Sequence, residues 1–587
     1  MAETKREIER KYESDESGLP DLTGVAGIEA VLDKGLAELD ATYYDTADGR
    51  LAAASITLRR RTGGSDAGWH LKFPVSPGVR DEVRAPLSPT LPRALAGLVR
   101  SRVRDTELVP VVRLRSARDV RELVDGEGRL LAEVSVDAVR AERLSGGTGA
   151  VQWSEIEVEL ADGADPALLD QVEKRLRKAG VRRSKSVSKL ARALAETAPR
   201  TETAVRADGG KEGKGKPEKA EASGKADTKG KAGKPGKPDG KGKPGKPGKP
   251  DAKGKPGKPG KTATGTFRTA KTPSAPATPR TAEPPALHLT PNPTPAPDTA
   301  ADHVLAYLRA QRDAIVALDP AVRQDEYDSV HRMRVATRRT RSAFRSFGKV
   351  LDREVTDPIG DELKWLAGEL GVDRDREVLT DRVTAGLDAL PRHLVVGPVR
   401  TRVRTWSHAR RGGSRRRLIA VLDGKRYLAL LDRLDALVAA PPLAKKAGGK
   451  PEKVIAKAVR KDFAKVAALV EEALAQPSSG PERDLALHEA RKKAKRTRYS
   501  AEAAEPALGT PATAMVKTAK SLQNLLGDHQ DSVMAREALR DIAAQAHAAG
   551  ENGFTYGVLY GREERQSAAD EAELPGLWAE VKDGTGI

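Results

Sequence analysis

Two periodicities divide the chain. From the start to about residue 197, apolar and charged positions alternate at period two in short runs: "ITLRRR", "WHLKFP", "VPVVRLR", "LLAEVSVDAV" and "SEIEVEL". Gly, Asp and Pro turns separate them. Period two predicts strands, because successive side chains leave a strand on opposite faces. One stretch, "PALLDQVEKRLRKAG", spaces its apolar positions three and four apart and stops at Gly180, which predicts a helix. Many antiparallel strands with charges on one face predict a closed barrel with a polar interior. From about 300 to 575 the pattern is helical, with Ala, Leu, Arg and Glu at helical spacing and few strand formers. The expected class is α+β: an N-terminal β-barrel domain at 1–197 and an all-α domain at 300–575, with a short tail at 576–587.

Between them, 198–299 fits neither pattern. "GKPGKPDGKGKPGKPGKPDAKGKPGKPGK" passes into a Pro/Thr/Ala run ending "TPNPTPAPDTA". With so little to bury, such a segment cannot offset its own ordering entropy. Frequent Pro and mutually repelling Lys predict an extended, disordered linker, and the broken Gly-X-Y register excludes collagen.

Charge changes the picture by where it lies. The chain of 587 residues carries a formal net charge of +19. Residues 201–271 hold 18 Lys and 2 Arg against 8 acids, a net of +12, leaving about +7 to the rest. The balance argues for anionic partners. Cysteine is absent, which excludes disulfides, thiolate metal sites and a Cys nucleophile. The charged N-terminus and the Arg-broken apolar runs give no sign of a signal peptide or membrane span, so a cytoplasmic protein is expected.

"EIERKYE" at 7–13 can be read two ways. On a helix, Glu7 and Lys11 make an ordinary surface ion pair. On a strand, Glu7, Glu9, Lys11 and Glu13 share one face. "SEIEVEL" decides for the strand, since it puts Glu155, Glu157 and Glu159 on one face as well, with Asp137 in a further strand-like run. Basic residues follow the same alternation: Arg59 and Arg61, Lys72, Arg80 and Arg84, Arg113 and Arg115, then Lys185 and Lys189. Solvent-facing charge would explain any one strand, but not nearly all of them. Clustered carboxylates suit hard divalent cations such as Mg²⁺ or Mn²⁺, and Arg and Lys suit a polyanion. Together they describe a metal-bridged oligophosphate and metal-assisted hydrolysis.

The helical part contains a repeat. "HRMRVATRRTR" starts at His331 and "HEARKKAKRTR" at His488, 157 residues on; "LGVDRD" at Leu370 is answered by "LGDHQD" at Leu526, 156 residues on. Two matches at nearly one offset predict a duplicated helical unit. His331, Arg334, Arg338, Arg341 and Arg345 form one helix stripe beside a second of Val330, Met333, Thr337, Thr340 and Phe344. Copy two repeats it with His488, Arg491, Lys495 and Arg498 beside Leu487, Ala490, Ala494 and Thr497. Arg339 and Arg496 join the candidate anion-binding set. Glu502 stands where Arg345 would recur. A solvated basic face is the bland alternative, and duplication argues against it. Aromatics make up 3% of the chain and do not interleave with the stripes, so base stacking on a nucleic acid has little support.

At these residues a resemblance enters. "EIERKYE", "YYDTADGRL", "LRRR", "WHLKFP", the Arg80–Glu82 "R-x-E" and "SEIEVEL" resemble, in order, the motifs of the CYTH family of triphosphate tunnel metalloenzymes. The resemblance implies an eight-stranded antiparallel tunnel and a Mg²⁺- or Mn²⁺-dependent triphosphatase. Glu7, Glu9 and Lys11 would be catalytic. Glu7, Glu9, Asp137, Glu155, Glu157 and Glu159 would hold metal, and Lys11, Arg59, Arg61, Lys72, Arg80, Arg84, Arg113, Arg115 and Lys185 would hold phosphates. The family also includes adenylate cyclases and organic triphosphatases. "VHRMRVATRRTRSAFRSF", "LGVDRDREV", "LHEARKKAKRTRYSAE" and "LQNLLGDHQDSV" resemble the CHAD family, which implies two pseudo-symmetric helical bundles that bind inorganic polyphosphate. The joint expectation is an inorganic triphosphatase acting on triphosphate or short polyphosphate, associated with polyphosphate granules in the cytoplasm. A non-catalytic polyphosphate scaffold is the alternative.

Overall fold

The structure is a computed structural model of the chain and describes residues 3–14, 18–147, 149–198, 299–371, 374–408, 411–476 and 480–584. The linker assigned to 198–299 lies outside the described residues except at its two ends, as do positions 372 and 373 of "LGVDRD".

The strands are β1 (Glu3–Ser14), β2 (Ala30–Asp45), β3 (Thr57–Thr62), β4 (Gly68–Ser76), β5 (Val79–Pro86), β6 (Val109–Val124), β7 (Leu130–Arg143) and β8 (Ala150–Leu160). They pair antiparallel in the order β1-β5-β4-β3-β2-β6-β7-β8, and the sheet closes on itself. Closure depends on β1, whose first half pairs with β5 and whose second half pairs with β8. This split brings the two acid-rich strands edge to edge, with Glu9 opposite Glu159 and Lys11 opposite Glu157.

Four helices accompany the barrel: α1 (Arg50–Ala53), α2 (Arg93–Val103), α3 (Ala167–Lys178) and α4 (Lys189–Glu196). They explain how a small barrel can have a charged interior. Tyr12, Val134, Ile156 and Val158 on the outer wall are buried under Leu168, Leu169, Val172 and Leu176 of α3. Leu58, Trp69, Leu71 and Val83 are buried with Leu95, Leu98, Val99 and Val103 of α2. Each such side chain contributes roughly 1.5–3 kcal/mol by leaving water. These two apolar cores lie outside the wall, and alternation leaves much of the opposite face to charge, alongside Leu39, Tyr43 and Val120. "YYDTADGRL" proves structural in part: the Asp45 carboxylate accepts hydrogen bonds from the backbone of Thr46, Leu51 and Ala52, fastening α1 across the turn at Gly49 (φ 72°).

The helical region runs α5 (Ala300–Gln324), α6 (Ser329–Ser346), α7 (Arg353–Glu369), α8 (Arg374–Asp388), α9 (Val399–His408), α10 (Arg411–Asp423), α11 (Lys425–Ala439), α12 (Pro451–Ala475), α13 (Pro481–Leu508), α14 (Thr510–Ala548) and α15 (Phe554–Asp583). Thr299 opens α5 with a reciprocal capping box to Asp302. α6 buries Met333, Thr337, Thr340 and Phe344, and α13 buries Leu487, Ala490, Ala494 and Thr497, the apolar stripes of the two copies. The residues set apart as a tail from 576 continue α15 instead. Trp578 and Val581 are buried there against α12, α13 and α14, because helical spacing carries the apolar face through them.

Candidate active site and anion surface

The strands enclose a cavity of about 270 Å³. Its lining is mostly ionic. β1 supplies Lys5, Glu7, Glu9 and Lys11; β3, Arg59 and Arg61; β4, Lys72; β5, Arg80 and Arg84; β6, Arg118; β7, Glu133; β8, Glu157 and Glu159; and α4, Lys189.

The acids gather into two triads, each with one oxygen per residue within 4.8 Å of the others: Glu7, Glu9 and Glu159, and Asp137, Glu155 and Glu157. Such all-oxygen sets, buried except at Glu159, fit a hard divalent cation. Around the first triad, Lys72 and Arg84 reach Glu7, Lys11 lies 3.2 Å from Glu9, and Lys5 lies 2.7 Å from Glu159. Around the second, Arg118 spans Asp137 at 2.7 Å and Glu157 at 2.8 Å, and Lys189 reaches all three acids. Glu82, also inward and fully buried, meets Lys72 and Arg84 and lies 2.9 Å from His70 Nδ1.

Burial, together with the charges of Glu82 and Glu159, pushes the Glu7 carboxyl up to about 7 against the pull of Lys72. Burial opposes the charge of Glu9 too, but Lys11, Lys72 and Arg80 hold it below the usual carboxylate range. Glu157 behaves likewise: Lys11, Lys189 and Arg118 outweigh its burial and keep it ionised.

The structure brings together most of the residues singled out in the tunnel, with three exceptions. Arg113 and Arg115 are half-exposed on the outer face of β6 and pair with Asp40. Strand parity is the reason, for the inward positions of β6 include Arg118 and Val120. Lys185 is exposed in the loop before α4 and does not line the cavity; Lys189, one helical turn on, enters it. Lys5, Glu82, Glu133 and Arg118 were missing from the candidate set, and Lys189 stood among the alternating basic residues without a metal or phosphate role. Counting the register back from Asp137, which pairs with Arg118, would have found Arg118.

On the helices the basic residues separate into groups. Arg334, Arg338 and Arg491 crowd Lys495, and burial plus these charges lower its ammonium to about 8. The repeated Leu-Gly step serves this cluster. A Cβ on Gly371 would lie 2.9 Å from the Arg334 guanidinium, and one on Gly527 3.5 Å from that of Arg491. Asp531 lies 3.4 Å from Arg491, and His488 Nδ1 lies 2.5 Å from Gln530. Other candidates are engaged elsewhere. Arg339 and Arg498 converge on Glu502 at 2.8 and 2.9 Å, both beside Tyr499. Arg496 pairs with Asp462 at 3.3 Å, and Arg341 donates to the Gly360 carbonyl at 3.1 Å. His331 is half-buried near the start of α6. A third acidic group, Asp484, His529 and Glu571, sits among α13, α14 and α15 with Arg483 and Arg536 beside it.

An antiparallel tunnel lined by acids and bases, followed by a duplicated basic helical array, defines a two-module class of protein. The chain belongs to the CYTH and CHAD domain families: the CYTH model matches residues 5–194 and the CHAD model residues 306–540. Uncharacterized protein Rv2226 and uncharacterized protein MT2285 of Mycobacterium tuberculosis are each 35% identical over 583 residues, covering 97% of this chain and 93% of theirs. Among solved structures, PptA from Streptomyces chartreusis matches at 19% identity and a TM-score of 0.41, over 48% of this chain and all of its own. A Hippeastrum protein, described as a candidate adenylyl cyclase with a dominant triphosphatase activity, matches at 19% identity and a TM-score of 0.22, over 33% and 97%.

Proposed function

We propose that the tunnel hydrolyses phosphoanhydride bonds of inorganic triphosphate or short polyphosphate with Mg²⁺ or Mn²⁺, and that the helical module binds inorganic polyphosphate. One observation carries the reading: Glu7, Glu9 and Glu159 line one cavity with a ring of Arg and Lys, and the Asp137–Glu155–Glu157 triad reaches the same cavity through Glu157. Anion binding alone gains nothing from buried carboxylates, which are costly without a cation. A nucleic-acid groove would not enclose its ligand in a closed barrel.

Glu7, Glu9 and Glu159 would hold a divalent ion, which when bound neutralises charge on the reacting phosphate oxygens. The remaining work falls to side chains. Arg59, Arg61, Arg80, Arg84 and Arg118 offer planar, bidentate donors to successive phosphates, and Lys11 and Lys72 offer point charges. Carboxylate partners, or for Arg59 the Tyr43 hydroxyl, hold these donors in place before substrate arrives. Such pre-organisation is where phosphoryl transfer gains most, since positioning and charge dominate its catalysis. The Arg334, Arg338, Arg491 and Lys495 cluster supplies the polyphosphate surface. Among the described residues no helix is long and apolar enough to cross a membrane. The working location is the cytoplasm, at polyphosphate deposits.

The test is phosphate release by the full chain from tripolyphosphate, long-chain polyphosphate, ATP and thiamine triphosphate, with Mg²⁺ or Mn²⁺. Tripolyphosphate should turn over fastest. Cyclic AMP from ATP without phosphate release would replace the hydrolase with a cyclase. Binding without turnover of any substrate would leave the scaffold reading.

A further inference from the structure

The two acid triads differ in what already stands among them. The Lys189 ammonium lies 3.0 Å from Asp137, 2.7 Å from Glu155 and 2.6 Å from Glu157. One ammonium thus stands within ion-pair reach of all three carboxylates. Arg118 closes the triad from β6, and Trp153 Nε1 donates to the other Glu155 oxygen at 2.6 Å. In the first triad the cationic partners are divided instead: Lys72 and Arg84 to Glu7, Lys11 and Arg80 to Glu9, and Lys5 to Glu159.

Lys189 is also held from behind. It is the first residue of α4, whose N-terminus is capped by Ser188 accepting from the Ala191 backbone at 3.1 Å. Leu190 and Ala193 anchor the helix in a core with Val139 and Trp153 on the barrel wall. The side chain therefore enters the tunnel from a fixed backbone and is 9% exposed.

We infer that Lys189 is the resident cation of the Asp137–Glu155–Glu157 triad, so that a divalent ion enters the tunnel at Glu7–Glu9–Glu159 and not beside Lys189. The two ends of the acid array then differ in kind. One offers an exchangeable metal and the other a tethered ammonium flanked by Arg118 and Lys11. A phosphate chain lying between them meets a divalent ion at one end and fixed protein charge at the other. This rests on the reading of the tunnel as metal-binding but concerns which triad takes the ion.

The experiment counts Mn²⁺ bound per full-length chain, by equilibrium dialysis with electron paramagnetic resonance of the free ion. Lys189→Met should bind one further Mn²⁺ than the unaltered chain, since the triad loses its occupant but keeps its oxygens. Adding Glu155→Gln to Lys189→Met should remove that extra ion. Glu155→Gln alone should leave the Mn²⁺ count unchanged, whereas Glu9→Gln should weaken one site about 10- to 100-fold. An unchanged count in a folded Lys189→Met, or loss of an ion in Glu155→Gln alone, overturns the inference. The single variant keeps the test decisive if Lys189→Met does not fold. Absence of phosphate release alongside the expected counts would instead defeat the hydrolase reading and spare this one.

Discussion

The tunnel and the α6–α13 face are both rich in arginine and lysine, but they hold their charge in opposite ways. Inside the barrel the cations face acids: Lys5 with Glu159, Lys11 with Glu157, Lys72 with Glu7, Arg118 with Asp137. On the helices burial, with the neighbouring charges of Arg491, Arg338 and Arg334, brings Lys495 down to about 8. Asp531 offsets part of that excess, though burial pushes its own carboxyl up. A balanced lining can take a cation and an anion together, whereas an unbalanced cluster calls for an anion alone. Chemistry is accordingly expected of the first region and retention of the second.

The comparison breaks most sharply if one set of substitutions disturbs both regions. Glu7→Gln with Glu9→Gln should lower kcat for tripolyphosphate by roughly 10²–10³-fold, the scale of losing a principal electrostatic contributor. Polyphosphate affinity at the helices should not move. Phosphate-release kinetics and a filter-binding assay on one preparation measure both; unaltered turnover ends the catalytic reading. Next in size, Arg338→Met with Lys495→Met should weaken long-chain polyphosphate binding about tenfold or more, since contacts to charged groups contribute about 1.5–3 kcal/mol each. Turnover of tripolyphosphate should be preserved. A competition with duplex DNA at matched salt sharpens the same point, and DNA displacing polyphosphate would redirect the helical module to nucleic acid.

A third prediction turns on strand parity. Arg118→Met should raise KM for tripolyphosphate about tenfold, as loss of a bidentate phosphate contact does, and Arg113→Met should leave it within about twofold. The reverse order would mean that the register of β6 does not govern the lining. These two residues also show where the sequence was legible. Alternation in "EIERKYE" and "SEIEVEL" revealed the acid faces, and the 157-residue repeat revealed the duplicated basic stripes. Strand runs announce that alternate residues share a face, but not which parity points inward. The β2–β6 register runs unbroken from Arg118 to Val112, so Arg113 and Arg118, five residues apart, fall on opposite faces by parity alone. Lys189 was harder still. It comes from a helix, and only tertiary packing of Leu190 and Ala193 on the wall aims it at Asp137. On the helices, spacing predicted the stripe but not its partition, because Glu502 and Tyr499 are what draw Arg339 and Arg498 away from the Lys495 cluster.

The smallest expected effect tests the like-charge crowding itself. Lys495 in the folded chain ionises near 8, below the ordinary lysine value of 10.5, so its positive charge is lost as pH rises through 8. Polyphosphate affinity should therefore fall between about pH 7 and 9, by about two- to fivefold, the worth of one partly exposed ionic contact. Lys495→Met has no proton to lose and should show a flat profile over that interval. The sign for stability is opposite. Between the folded and unfolded values the unfolded chain binds the extra proton, so the ligand-free protein gains stability from this group as pH rises from about 8 to 10.5. Bound polyphosphate should reverse that, because an anion beside Lys495 favours its charged form. A binding profile equally steep in the variant would show that the pH dependence arises elsewhere, and that the α6–α13 cluster is not held together against its own repulsion.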